Sequence, residues 1–192
     1  MNNQVSRALA LLTAGLIAST LAVAQTDPTP EPALPERHEH DMSDAEFIRM
    51  MIDHQSQGVA LARLEEERGA SPAVKALATR IRVSQESDIK ELKAMQQRIL
   101  SGTTKPSMHP DDEKALAEQG KAATDRMSTV NGAAADKVFL EEMVKHHKMT
   151  LAMLQRTDFR DDGLHKLARE IDAAMRQELA ELQKAASAQT PA

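Results

Sequence analysis

The chain has 192 residues, a formal net charge of −5 and an isoelectric point near 5.8. This acidity, without a basic patch interleaved with aromatic residues, argues against a nucleic-acid partner. The absence of cysteine excludes disulfide bonds, thiolate catalysis and thiolate metal sites. Methionine occurs eleven times, whereas there are three phenylalanines and no tryptophan or tyrosine. Methionine side chains are therefore expected to fill much of the space that aromatic rings occupy in other cores.

The first 24 residues have the features of a secretory signal peptide. Arg7 precedes an apolar run from Ala8 to Val23, and an Ala-Val-Ala cleavage site ends at Ala24. We expect cleavage there, export to the periplasm or the medium, and no membrane contact of the mature chain; the alternative is an uncleaved anchor. Residues 25–42 are rich in proline and predict a disordered linker, and residues 185–192 predict a disordered tail.

Residues 43–184 are predicted to form one helical domain. Ser43 and Glu46 have the spacing of a capping box, and Gly69 is expected to stop the first helix. Apolar residues recur at helical spacing, and strand-like alternation is absent from the sequence. The five predicted helices, of which the third is the weakest, span Ser43 to Arg68, Pro72 to about Gly102, Asp111 to Met127, Ala134 to Arg156 and Leu164 to Lys184.

The first half of this domain matches the second half. The first predicted helix overlays on the fourth, and the second overlays on the last. The matched pairs are Phe47 with Phe139, Met51 with Met143, His54 with His146, Leu77 with Leu167, Ile81 with Ile171 and Leu92 with Leu182. These matches predict an all-α fold in which two duplicated helical hairpins pack as an antiparallel four-helix bundle, with the weaker helix in the crossover.

Each repeat carries a methionine three residues before a histidine that we expect to face inward. The pairs are Met51 with His54 and Met143 with His146, each on an otherwise mostly apolar stripe. Di-iron bundles place Glu-x-x-His at this spacing, so thioethers replace the carboxylates that would bind iron. Because thioether and imidazole donors suit Cu(I) or Ag(I), the pattern predicts a soft-metal site in the core.

Further ligands are expected close to these pairs. Met50 and Met153 lie one turn from the histidines and could complete a site, and His147 is interpreted either as a ligand or as packing. The alternative for each methionine is a flexible core filler, and for each histidine a satisfied core residue.

Asp88 and Glu178 interrupt the inner stripes of the second and last helices at matching places. A carboxylate on an apolar stripe needs a partner because an unpaired buried charge is costly. We expect the two carboxylates to accept hydrogen bonds from the histidines and so to orient the rings. Alternatively, both lie at the edge of the stripe and reach water.

Two more groups of potential soft-metal donors lie outside the predicted helices. His38, His40 and Met42 alternate just before the first helix, and Met108 and His109 lie in the central loop. Either group could capture a metal ion transiently. The alternative is that both belong to exposed polar linkers.

Three stretches together resemble a known family. Met51-Ile52-Asp53-His54, the segment from Phe139 to His147 and Gln85-x-x-Asp88-Ile89 are similar to the family catalogued as domain of unknown function 305. Members of that family are exported bacterial proteins with a ferritin-like helical bundle, and some are periplasmic copper binders implicated in copper resistance. The resemblance extends from about Ser43 to Lys184 and implies the same fold and a metal-binding role here.

The sequence departs from the family pattern mainly in its first repeat. The family usually has His-His in both repeats, followed by a methionine downstream. The first repeat has His54-Gln55 and Leu61, whereas the second keeps His146-His147 and Met153. In the second half, Met175 also stands where the family has glutamine. The resemblance therefore implies that the second repeat holds the better site.

The expected function is non-enzymatic binding of Cu(I) or Ag(I) outside the cytoplasm, by sequestration or shuttling in copper homeostasis. The ion would be cargo that folding does not require, and a protein that donates or accepts metal is the expected partner. The main alternative is a structural or interaction bundle without metal. A di-iron redox enzyme is less favoured because the paired Glu-x-x-His ligands are missing. The oligomeric state is left open.

Overall fold

The computed structural model describes residues 42–99 and 110–189, which form five α-helices and no strand. The helices are α1 (Asp44–Arg68), α2 (Pro72–Ile99), α3 (Pro110–Ser128), α4 (Ala133–Arg156) and α5 (Asp162–Ala188). The predicted all-α class is confirmed. Among the described residues, none of the helices is long and apolar enough to cross a membrane.

The start of α1 has the capping geometry that the sequence predicts. The Glu46 amide donates to the Ser43 hydroxyl at 3.3 Å, and the Ser43 amide donates to the Glu46 carboxylate at 2.9 Å. These reciprocal bonds satisfy backbone amides that the first helical turn leaves unpaired. The position of α1 in the chain is therefore set locally.

The last helix is longer than the sequence pattern predicts. It continues to Ala188, four residues beyond the predicted end at Lys184. Ala185 and Ala186 are partly buried against apolar side chains of the other helices, which favours continuation of the helix. The predicted signal peptide, nearly all of the predicted linker and the central Met108-His109 pair lie outside the described residues.

The four long helices form a closed ring of contacts. α1 packs against α2, α2 against α5, α5 against α4, and α4 against α1, while α3 lies against α1 and α4. Two apolar clusters fill the interior. The first joins the beginning of α1 and α5 to the later parts of α2 and α4, and the second joins the opposite parts of the same helices. The ferritin-like assignment and the duplication stay predictions.

We call the first cluster the methionine-rich cluster, because seven of the eleven methionines lie in it or pack against it: Met42, Met50, Met51, Met95, Met149, Met153 and Met175. We call the second cluster the Phe139 cluster, after its largest side chain, and it also contains Met127 and Met143.

A layer of polar side chains lies between the two apolar clusters. Every long helix contributes to it at the point where its residues pass from one cluster to the other. Its members, called the polar layer below, are His54, Gln55, Gln85, Asp88, His146, His147 and Glu178. Polar groups in a core are costly unless they are paired, so the pairing of each member indicates its role.

Candidate metal site

His54 presents one unpaired ring nitrogen to the interior. Its side chain lies on α1 and is buried, with 2% exposure. The Nε2 atom is 3.2 Å from the backbone carbonyl of His146, and because a carbonyl only accepts, Nε2 carries the proton and donates. The Nδ1 atom is buried without a hydrogen-bond partner in the described part of the chain. Burial lowers the pKa of His54 to about 4, so the ring is neutral near pH 7 and Nδ1 keeps its lone pair.

His146 on α4 stacks directly on His54. The ring centroids are 3.9 Å apart and the planes differ by 15°. Burial holds the pKa of His146 well below the usual histidine value, and the neighbouring His54 and His147 rings add to this effect. The Nε2 atom is buried and, among the residues described, has no hydrogen-bond partner. The two helices therefore bring together two neutral imidazoles, each with a nitrogen that none of the described residues satisfies.

Gln85 on α2 and Gly58 on α1 border an open space beside His146. A Cβ atom built on Gly58 would lie 2.2 Å from Gln85 Oε1 and 2.6 Å from His146 Nε2. Any side chain at position 58 would therefore occupy the space into which both groups point. Gln85 is fully buried, and its two amide atoms are unpaired within residues 42–99 and 110–189.

His147 has both ring nitrogens engaged. Nδ1 donates to the Met143 carbonyl at 2.9 Å, and Nε2 lies 2.8 Å from the Glu178 carboxylate. With both nitrogens in hydrogen bonds, this side chain has no lone pair to offer a metal unless one bond breaks. The sequence leaves two roles open for His147, ligand or packing. In this structure the side chain packs in the core and forms internal hydrogen bonds. Glu178 lies in hydrogen-bond contact with a histidine, the kind of partner that the sequence predicts for it.

Gln55 on α1 occupies the position that corresponds to His147 on α4. Its amide nitrogen donates to Asp88 at 3.0 Å, as His147 contacts Glu178. Asp88 was expected to accept from a histidine; it accepts from Gln55 instead, because that is the donor the first repeat supplies. Burial, together with the charges of Glu178 and Glu91, raises the pKa of Asp88 to about 7.

The methionines of the two Met-x-x-His pairs do not share one cluster. Met51 lies in the methionine-rich cluster with Met50 and Met153, whereas Met143 lies in the Phe139 cluster, and all four are buried. The reason is the direction of the helices, because the beginning of α1 meets the later part of α4. The residue three positions before His54 and the residue three positions before His146 therefore lie on opposite sides of the polar layer. The histidines meet while their paired sulfurs diverge.

Of the two auxiliary groups, Met42 alone lies in the described part of the chain. It is partly buried and packs against the methionine-rich cluster. His38, His40, Met108 and His109 lie outside the described residues.

Two members of this arrangement, Gly58 and Gln85, were not predicted as site residues. Both lie on inner stripes, at positions where an apolar residue would ordinarily pack. A glycine and an amide on inner stripes at the level of the histidines are the sequence signal that points to them. Within the described ranges, no group of three His, Cys, Asp or Glu side chains has the arrangement of a metal site. Donors for an ion would thus be the two imidazoles with amide oxygen or thioether sulfur, a set that suits copper or silver.

The chain matches the family model described as a domain of unknown function, DUF305, over residues 44–186. No curated protein matches it. Among solved structures, a DUF305 fragment from Deinococcus radiodurans is 25% identical, with a TM-score of 0.63 over 75% of this chain and 95% of that chain. A DUF305 protein from Streptomyces coelicolor is 20% identical, with a TM-score of 0.63 over 76% and 93% of the two chains.

The fold is also similar to that of CopM. The Cu(II)-bound form of CopM is 21% identical to this chain, with a TM-score of 0.64 over 79% of this chain and 100% of that chain. Since the identity is low, this likeness supports the fold alone. The family match covers the whole region from α1 to the end of α5 apart from its last residues. The chain therefore belongs to the DUF305 family.

Proposed function

We propose that this protein is an exported, non-enzymatic metal binder that sequesters or shuttles Cu(I) or Ag(I), within an antiparallel, ferritin-like four-helix bundle. One observation carries the proposal: His54 Nδ1 and His146 Nε2 are buried on stacked, neutral rings and have no hydrogen-bond partner in the described part of the chain. The proposed export rests on the predicted signal peptide in residues 1–24.

The energetic argument concerns these unpaired nitrogens. Each buried acceptor without a partner costs about 1–3 kcal/mol relative to its hydration in the unfolded chain. An ion that binds these nitrogens removes this cost and adds coordination bonds, and the stacked rings would have to turn for both to reach the same ion. Because both pKa values lie below the usual histidine value, protons do not compete for the lone pairs near neutral pH.

The choice of a soft ion rests on the surrounding sulfur. Met50, Met51 and Met153 belong to the methionine-rich cluster that borders the polar layer, and thioethers favour monovalent copper or silver. Solved structures of CopM in Cu(II)-bound and Ag-bound forms support copper or silver as the metal for a protein of this fold. We propose that the ion is cargo, which implies a protein that delivers or receives it.

The test is a competition titration of the purified protein with Cu(I) or Ag(I) against a chelator of moderate affinity. We expect the protein to take about one equivalent at this site. His54→Leu and His146→Leu should each weaken binding at least about tenfold, since each removes one nitrogen donor. His165→Leu replaces an exposed histidine on α5 and serves as the matched control. Failure of the unaltered protein to compete with the chelator would contradict the proposal.

A metal-free structural bundle is the second candidate, and one observation favours it. The four methionines predicted as core ligands, Met50, Met51, Met143 and Met153, are buried in apolar clusters, as expected for core packing. In that case both leucine variants would leave the weak metal affinity unchanged and would raise the stability, because each removes a buried unpaired nitrogen.

A further inference from the structure

Gln85 is the one fully buried side chain of the polar layer with both polar atoms of its amide unpaired within the described ranges. Two hydrogen-bond donors on α1 and α4 already have other partners. The Gln55 amide nitrogen is bonded to Asp88, and the Thr150 hydroxyl is bonded to the His146 carbonyl. A buried amide without partners marks the adjacent space as suited to a polar occupant.

The space beside Gln85 is lined by identifiable polar atoms. Gln85 Oε1 and His146 Nε2 both point to the position that a side chain on residue 58 would fill, and Gly58 leaves that position open. With partners counted among the described residues, the unsatisfied atoms of the layer are His54 Nδ1, Gln55 Oε1, His146 Nε2 and the two amide atoms of Gln85. Four of these five atoms can act as electron-pair donors or hydrogen-bond acceptors. The layer therefore suits a cation better than an anion.

We propose that Gln85 supplies its amide oxygen as a third donor beside the two histidines and thereby sets which ions the site accepts. This inference rests on the proposed function and deepens it. An amide oxygen is a harder donor than a thioether, so a set of two imidazoles and one oxygen accommodates Cu(II) as well as the softer monovalent ions. The site would then hold copper in either oxidation state.

The second half of the chain provides the matched substitution. When α2 and α5 are overlaid with Ile81 on Ile171 and Leu92 on Leu182, Gln85 falls on Met175, which is fully buried. A methionine is therefore a residue that this fold already packs at the corresponding position. Gln85→Met exchanges the oxygen for sulfur at similar size, and Gln177→Met makes the same exchange at an exposed position of α5.

The experiment measures Cu(II) and Ag(I) affinities of the same protein by chelator competition, and records the Cu(II) electron paramagnetic resonance spectrum. In Gln85→Met, we expect Cu(II) affinity to fall about tenfold or more while Ag(I) affinity is kept or rises. Gln177→Met should change neither affinity. Gln85→Glu, which keeps an oxygen at the same place, should retain Cu(II) binding even if Gln85→Met folds poorly.

The outcomes separate this inference from the proposed function. If His54→Leu loses both ions while Gln85→Met keeps the ratio of the two affinities and the same spectrum, Gln85 is not a donor and the metal-binding function stands. Loss of Cu(II) binding in Gln85→Glu would likewise overturn the inference. If the unaltered protein binds neither ion, the proposed function itself fails.

Discussion

Three histidines of the polar layer differ in what their nitrogens contact, although two of them are neighbours in the chain. His147 bonds to Met143 and Glu178 with its two nitrogens, whereas His146 has a buried nitrogen that no described residue satisfies. The difference arises from helix geometry, because adjacent residues on a helix point about 100° apart. One ring therefore faces α5, and the other faces α1.

Replacement of His147 tests this division of roles. His147→Gln recreates the Gln55–Asp88 pairing at the matching position, so we expect near-normal stability and retained ion binding. His147→Leu leaves the Glu178 carboxylate without its partner and should destabilise the protein by about 1–3 kcal/mol. Urea unfolding and chelator competition measure the two effects. A large loss of ion affinity in a stable His147→Gln variant would instead identify His147 as a ligand.

Gly58→Ala tests the open space beside His146. The new methyl group would lie 2.2 Å from Gln85 Oε1 and 2.6 Å from His146 Nε2, so the ends of both side chains must shift. Alanine gains about 1 kcal/mol of helix propensity, which offsets part of this displacement. We expect stability to change by less than about 1 kcal/mol while ion affinity falls about tenfold or more.

Gly163→Ala is the control for this substitution. Position 163 lies in the first turn of α5, and a Cβ atom there would be 3.0 Å from the nearest side-chain atom, Arg98 Nη2. The exchange should leave ion affinity unchanged. Equal affinities for Gly58→Ala and the unaltered protein would show that the space beside His146 takes no part in binding.

At the scale of the helices, a pair of carboxyl groups joins the turn between α1 and α2 to the start of α4. Asp136 accepts hydrogen bonds from the Ala70 and Ser71 amides at 2.9 and 3.0 Å, which fixes the beginning of α2. Glu65 is fully buried beside it. Burial and the adjacent Asp136 carboxyl group raise the pKa of Glu65 to about 8, against a smaller lowering by Lys75.

This pair predicts a defined dependence of stability on pH. The folded state keeps a proton on Glu65 that the unfolded chain releases near pH 4.5. Its contribution to the free energy of unfolding is therefore complete below pH 4.5 and is lost as the pH rises to about 8, at up to about 1.4 kcal/mol per pH unit. Glu65→Gln, which needs no proton to donate to Asp136, should reduce this slope.

Urea unfolding at pH 5, 6.5 and 8 measures the slope for both proteins. Glu67→Gln, an exchange at an exposed position of the same helix, is the control and should follow the unaltered protein. The expected gain of Glu65→Gln over the unaltered protein is largest at pH 8. Parallel pH profiles for the two proteins would mean that Glu65 is ionised in the folded state.

Most of the helices could be predicted from local sequence signals, but the residues at which they end could not always be predicted. The capping box at Ser43 and the proline that starts the second helix at Pro72 act within a few residues, so the sequence alone places them. The extension of α5 to Ala188 depends on burial of Ala185 and Ala186 against other helices, a contact that no local pattern contains.

The whole molecule is organised as a polar layer between two apolar clusters. This arrangement explains which part of the candidate site could be predicted. A histidine stripe on α1 and α4 predicts inward-facing rings, and His54 and His146 are buried and stacked. The partners of Asp88 and the separation of Met51 from Met143 depend on how the helices are aligned with one another, which the spacing within one helix does not specify.

Contacts between distant parts of the chain also identify the two site residues that the sequence pattern did not predict. Gln85 comes from α2 and Gly58 from α1, and they meet His146 of α4 only because three helices pack at this level. The core therefore combines residues far apart in sequence into one polar space, with sulfur concentrated on one side of it.

The most direct test of the central claim is a long-range ¹H–¹⁵N spectrum of the histidine rings, recorded before and after one equivalent of Ag(I). Before addition, His54 should show a neutral ring with its proton on Nε2. After addition, we predict large shifts of His54 Nδ1 and His146 Nε2, while the two nitrogens of His147 stay nearly unchanged. Shifts confined to methionine methyl groups or to His147, with His54 and His146 unaffected, would contradict the account.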